Sequence, residues 1–102
     1  MQTKVVHCNR EPYDIYIGRP SEWGNPFIIG KDGTRMEVID KYEKRMRGLL
    51  KKDPKLKKRF KLLRGKTLGC WCKPYKCHGD AIVKILNDLC SNNIKVRVKK
   101  CL

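Results

Sequence analysis

Between residues 66 and 89 the apolar pattern changes from one secondary structure to another across a single short connection. Lys66-Thr-Leu-Gly-Cys-Trp-Cys72 reads as a buried strand and Lys73-Pro-Tyr75 as a turn. From His78 or Asp80 onward, Ala81, Ile82, Ile85, Leu86 and Leu89 fall on one stripe of a helix that closes near Ser91-Asn-Asn93. A strand feeding a helix through a tight loop restricts the chain to folds in which helices cover a sheet. It also gathers polar groups at the carboxyl end of the strand, beside the free amides of a helix N-terminus.

The rest of the chain fits that frame. Residues 3–8 and 14–18 are short β-branched or alternating runs, separated by the turn-prone Asn9-Arg-Glu-Pro12, and predict two strands. Residues 19–27 hold two prolines and a glycine and predict an ordered loop. Thr34-Arg-Met-Glu37 is a capping box, and Met36, Ile39, Tyr42, Met46, Leu49 and Leu50 follow it at helical spacing. Asp53-Pro54 opens a second helix with Leu56, Phe60 and Leu63 on its stripe. Ile94-Lys-Val-Arg-Val-Lys99 alternates and predicts a charged edge strand over about 94–100. The expectation is therefore one small Rossmann-like α/β domain over 1–102, with about four strands in partly parallel pairing and three helices.

Length and charge bound the function. A chain of 102 residues supports one modest core. No apolar run reaches bilayer length, and Met1-Gln-Thr-Lys4 lacks the apolar stretch of a secretory signal, so a cytoplasmic protein with no membrane contact is expected. In that compartment the six cysteines read as thiols. Cys8, Cys70, Cys72 and Cys77 lie near polar or Gly/Pro-rich sequence and are candidates for chemistry, whereas Cys90 falls on an apolar helical stripe. The formal net charge is +15, which favours polyanionic partners, either nucleic acid or a phosphorylated small molecule; lysine-rich composition is the competing account. The cations of residues 51–61, Lys57, Lys58 and Arg59 among them, are either a solvated helix face or a phosphate-contacting one.

Chemistry concentrates in Cys70-Trp-Cys-Lys-Pro-Tyr-Lys-Cys-His-Gly-Asp80. Cys70 and Cys72, two apart on a strand, point to one face and Trp71 to the other. Three readings stay open. Cys70, Cys72, Cys77 and His78 are a candidate zinc set, or three of the cysteines an iron–sulfur set, although the Cys-x-Cys-x4-Cys-His spacing is unusual for structural zinc. Alternatively, Cys72 or Cys77 acts as nucleophile while His78 handles a proton and Asp80 orients it. In the third, the cysteines pack as small hydrophobes and His78 and Asp80 cap the helix.

The second unusual segment is Tyr16-Ile-Gly-Arg-Pro-Ser-Glu-Trp-Gly-Asn-Pro-Phe27. Gly18 and Gly24 permit close backbone approach, Arg19 suits a phosphate, Trp23 offers a face to a base, and Asn25 can read a polar edge of base or ribose. Trp71 is a further ligand-contacting candidate. The competing reading makes Trp23 and Phe27 core plugs and Asn25 a local cap.

Val5-Val-His-Cys8, Tyr16-Ile-Gly-Arg-Pro20, Trp23-Gly-Asn-Pro-Phe27, Leu63-Arg-Gly-Lys66 and Cys70-Trp-Cys72 with Cys77-His-Gly-Asp80 together resemble the short domain-of-unknown-function family four-three-two-six of phages, large DNA viruses and bacteria. The resemblance spans about residues 5–89 and implies a location inside the host cell, but supplies no activity. Leu68-Gly-Cys70 with Cys77-His78 is also similar to the end of another α/β family whose helix opens with Cys-His-Arg; Gly79 stands in place of that arginine. The reading that follows is a nucleotide- or nucleic-acid-directed enzyme. Arg19 and the helix amides would hold phosphate, Trp23 and Asn25 the base or ribose, and Cys72, Cys77, His78 and Asp80 the chemistry. A non-enzymatic nucleic-acid-binding module and a metal-stabilised adaptor are the alternatives.

Overall fold

A computed structural model describes the backbone of residues 2–95 and the side chains of residues 2–89. The elements are β1 (Lys4–His7), β2 (Ile15–Tyr16), α1 (Arg35–Lys52), α2 (Pro54–Lys61), β3 (Thr67–Cys70) and α3 (His78–Lys95). Each helix start follows from its capping chemistry. The Thr34 hydroxyl accepts the Glu37 amide at 3.3 Å while Glu37 Oε1 accepts the Thr34 amide at 2.8 Å, closing the capping box of α1. Asp53 Oδ1 accepts the amides of Lys55 and Leu56, both at 3.1 Å, and Pro54 supplies a first helical position that needs no donor.

The sheet has the order β1-β3-β2, with β3 parallel to both neighbours. Lys4 to His7 pair with Thr67 to Cys70, and Ile15 and Tyr16 pair with Leu68 and Gly69. Because β1 and β2 run the same way, residues 8–14 must travel back along the sheet and cross β3. A parallel crossover ordinarily takes a dozen or more residues and a helix. Here the connection is short, and Tyr13 within it packs closely over Gly69 of β3. A Cβ there would sit 2.7 Å from Cγ of the Tyr13 ring. On the opposite face, the first turn of α3 approaches so closely that a Cβ at Gly79 would lie 2.9 Å from a Val5 methyl and 3.0 Å from Cδ1 of Ile17. The helix start is pressed onto the sheet at Gly79, which leaves no room for a side chain there.

The core joins Leu68 and Cys70 of β3 to Ala81, Ile82, Ile85 and Leu86 of α3, Tyr42, Met46 and Leu50 of α1, and Phe60 of α2. Trp23 is 6% exposed and meets Phe60 edge to face, with ring centroids 5.6 Å apart. Its carbonyl accepts the buried Tyr42 hydroxyl at 2.8 Å. The loop over residues 19–27 is thus pinned to two helices from beneath.

The expected α/β architecture is the one adopted, with particular differences. Three strands, all in parallel pairing, are present among the described residues. Of the strand expected over 94–100, Ile94 and Lys95 belong to α3 and the remainder lies outside the described residues. β3 ends at Cys70, so Trp71 and Cys72 belong to the following turn and strand alternation does not orient them. The peptide bonds before Pro20 and Pro74 are cis.

Two stability measurements check this account. Gly69→Ala is expected to cost about 1–3 kcal/mol by denaturant unfolding, as overpacking does. Combining it with Tyr13→Ala should recover part of that loss, giving a non-additive cycle; additive effects would place the clash elsewhere. Tyr42→Phe should cost about 1–3 kcal/mol, because it leaves the Trp23 carbonyl buried without a donor.

Candidate functional site

The two unusual segments meet. His78 Nε2 lies 2.7 Å from the Ile17 carbonyl in a buried contact, which draws the loop after β2 against the start of α3. A carbonyl only accepts, so Nε2 carries the proton and the neutral ring keeps its lone pair on Nδ1. Burial holds the His78 pKa below its ordinary value, against the raising effect of that carbonyl. Tyr42 packs edge to face on the imidazole at 5.0 Å.

Above this contact opens a cleft of about 380 Å³, a size that suits a small-molecule ligand. One side is the segment with Gly18, Arg19, Asn25 and Phe27, another the start of α1 with Arg35, Val38 and Ile39, and the third the segment from Cys70 to His78. The walls are mostly apolar, from Phe27, Ile28, Ile29, Val38, Ile39 and Trp71. The charged residues among those lining it are Arg19, Arg35 and Lys76, with no carboxylate.

At the cleft floor, one ligand atom from each of Cys70, Cys77 and His78 lies within 4.8 Å of the other two. All three residues are buried. The Cys77 sulfur accepts the Gly79 amide and the Cys70 sulfur accepts the Cys72 amide, each at 3.3 Å. Interaction with the neighbouring Cys70 thiol lowers the Cys77 pKa to about 7, with burial opposing and the Gly79 amide assisting. The same interaction, together with burial, pushes Cys70 up. Cys72 lines the cleft half-buried but stands outside the three-residue cluster. The cluster therefore holds three of the four residues of the expected metal set, and Cys72, in the turn that follows β3, lies outside it.

Asp80 does not orient His78. Its Oδ1 accepts Lys73 Nζ at 2.8 Å and its Oδ2 accepts the Cys77 amide at 3.0 Å. Burial raises its pKa, but the Lys73 ammonium and the Cys77 amide outweigh that and hold the carboxyl below its ordinary value. Asp80 thus caps α3 and fastens the loop over residues 71–77 from behind. The helix amides expected to bind phosphate are consequently engaged at Cys77 and Gly79, by Asp80 and by the Cys77 sulfur.

In the first segment, Trp23 is a core plug under the loop and does not line the cleft, because Phe60 and Tyr42 claim its ring and carbonyl. Gly24 abuts the Arg19 backbone. Asn25 lines the cleft, but its amide is largely spent on local structure: Oδ1 accepts the Phe27 amide at 2.9 Å and Nδ2 donates to the Val38 carbonyl at 3.2 Å. The exposed indole of Trp71 donates to the Tyr16 hydroxyl at 3.0 Å, and that hydroxyl donates to the Arg19 carbonyl at 2.9 Å, setting the rim. Arg35 was legible only as the first residue after a helix cap. It donates to the Lys76 carbonyl at 3.2 Å and lies 5.2 Å from the centre of the Tyr75 ring, bridging α1 to the cysteine loop. Its nearness to a capping box at the end of a loop was the one signal available.

The basic face is separate from the cleft. Lys57 and Lys58 lie on α2, and Arg59 is committed to Glu22 through two hydrogen bonds of 3.2 and 3.4 Å. Among the described residues, no helix is long and apolar enough to cross a membrane.

Comparison with known proteins gives the chain its relatives. It is 37% identical over 94 residues to the uncharacterized 12.4 kDa protein of the nrdA-td intergenic region of Enterobacteria phage T4, covering 91% of this chain and 85% of that protein. It is 32% identical over 92 residues to the uncharacterized protein R718 of Acanthamoeba polyphaga mimivirus, covering 71% of this chain and 65% of that protein. No solved structure matches. The family model described as domain of unknown function DUF4326 matches residues 1–88, which takes in both cleft-forming segments, and the chain belongs to that family.

Proposed function

We propose that the protein is an enzyme acting on a nucleotide held in this cleft, with the cluster of Cys70, Cys77 and His78 as its reacting end. The observation that carries the reading is a rim of three cations, Arg19, Arg35 and Lys76, over a floor of two thiols and an imidazole, with no acidic residue lining the space between. Guanidinium groups grip phosphate through paired hydrogen bonds. Apolar walls suit a base, and Trp71 and Tyr75, 59% and 66% exposed beside the rim, offer flat faces to it. The net charge of +15 adds a long-range attraction for such a ligand.

The phosphate belongs on the arginines and Lys76, since Asp80 already caps α3 with negative charge. A second anion at that helix start would meet repulsion. The neutral His78 presents a lone pair on Nδ1, suited to accepting a proton or a metal ion.

Titration calorimetry with a panel of nucleosides and their mono-, di- and triphosphates tests the reading. Phosphorylated members should bind and nucleosides should not, with affinity falling as salt is added. Arg19→Ala and Arg35→Ala should each weaken binding about tenfold or more, while Lys58→Ala on α2 stays within about twofold. Equal binding of nucleoside and nucleotide, or indifference to both arginine changes, rules out the assignment. Turnover is read by mass analysis of the bound panel. His78→Ala is expected to lower stability by about 1–3 kcal/mol through the orphaned Ile17 carbonyl, so a circular-dichroism melt accompanies any loss of function it causes.

A further inference from the structure

We infer that Cys70, Cys77 and His78 form a mononuclear zinc site with its fourth coordination position open to the cleft. The assignment deepens the nucleotide reading by naming what occupies the floor, and it stands on the chemistry of the three residues alone.

The donor set comes first. Two thiolates and one imidazole, buried together, make up a Cys2His set, which belongs to zinc sites that keep a position free for water or substrate. In a tetrahedral site with zinc–sulfur bonds of about 2.3 Å, ligand atoms stand about 3.8 Å apart. The three atoms here already lie within 4.8 Å of one another, so closing on an ion requires a contraction of about 1.3 Å or less, the nitrogen standing about 3.5 Å from each sulfur in such a site.

The surroundings of each ligand are those of a metal site. A zinc-bound imidazole characteristically donates its other N–H to a carbonyl or carboxylate, which fixes the tautomer and aims the ring. His78 Nε2 does this to the Ile17 carbonyl at 2.7 Å, leaving Nδ1 as the nitrogen for the ion. Each sulfur accepts a backbone amide, from Cys72 and from Gly79, both at 3.3 Å. These donors disperse thiolate charge without consuming the sulfur's remaining lone pairs. Oxygen donors, which calcium and magnesium require, are missing from the cluster. The soft sulfur set favours zinc over those hard cations.

Cys72 separates an open site from a closed one. It lies outside the cluster, so three protein donors leave a fourth position free, and all three donors line the cleft where the nucleotide would be held.

The test uses the full chain, reduced, stripped of metal with a chelator, and free of nucleotide. It is titrated with cobalt(II) and then with zinc. One equivalent of cobalt should bind, with the visible absorption of a tetrahedral ion and a charge-transfer band whose intensity corresponds to two thiolates, and zinc should displace it. The unfolding midpoint of the parent should rise with added zinc. Cys77→Ser, checked for folding by circular dichroism, should lose the band, while Cys8→Ser and Cys72→Ser should match the parent. A folded, reduced parent that takes up neither metal overturns the proposal, as does an octahedral cobalt spectrum without thiolate bands. A three-thiolate band that drops in Cys72→Ser overturns the open position. Nucleotide binding is measured on the metal-free protein through Arg19 and Arg35, so loss of one assignment leaves the other standing.

Discussion

The hydrogen bond between His78 Nε2 and the Ile17 carbonyl is the contact on which the rest of the site depends. It is buried, short, and joins parts of the chain 61 positions apart. The group at its near end follows β2, and the group at its far end opens α3. It is the buried link between the two segments, beside the exposed relay from Trp71 through the Tyr16 hydroxyl to the Arg19 carbonyl. With it, the cations of one segment stand over the sulfurs of the other. The bond also decides the proton on the imidazole, and through that the character of the opposite nitrogen.

Much of this was legible because the local chemistry admits a single solution. Thr34 with Glu37, and Asp53 before Pro54, place two helix starts where they are found. The β-to-α switch after Cys70 places the third. The meeting of the two crowded segments was expected from their position at strand ends. Side chains with two plausible uses were harder. Trp23 has the same appearance whether it stacks on a base or fills a core, and what decides is Phe60, a distant residue on α2. Asp80 lies two positions from His78 in sequence, yet a carboxylate pairs with the nearest cation in space, and that is Lys73. Cys72 misled because a strand that ends at Cys70 no longer alternates. Arg35 was overlooked because surface cations at helix starts are ordinary, and its importance comes from Lys76 and Tyr75 across the cleft.

The charge of the chain takes on meaning from where its few acids are spent. Glu22, Glu43, Asp80 and Asp88 pair with Arg59, Arg47 and Lys84, Lys73, and Arg47 respectively, on the outer faces and behind the cysteine loop. None of them lines the cleft. Exposed pairs of this kind add little to stability. Their arrangement matters more for the field, which is left uncompensated at the rim, where low-dielectric walls concentrate it.

The strand order has a consequence for how the chain reaches this state. Both outer strands lie in the first sixteen residues, while the strand that joins them begins at Thr67. During synthesis, β1 and β2 leave the ribosome with no partner and wait through the making of two helices. Just ahead of β3, the Gly65 amide donates to the Thr3 hydroxyl across 62 positions, tying the chain start to it. Assembly is governed by that late, distant pairing, a topology that slows folding relative to local contacts. A nascent chain stalled before the central strand would display unpaired edges, and the lysine-rich stretch of α1 and α2 that emerges in the interval supplies like-charge repulsion between such chains while they wait.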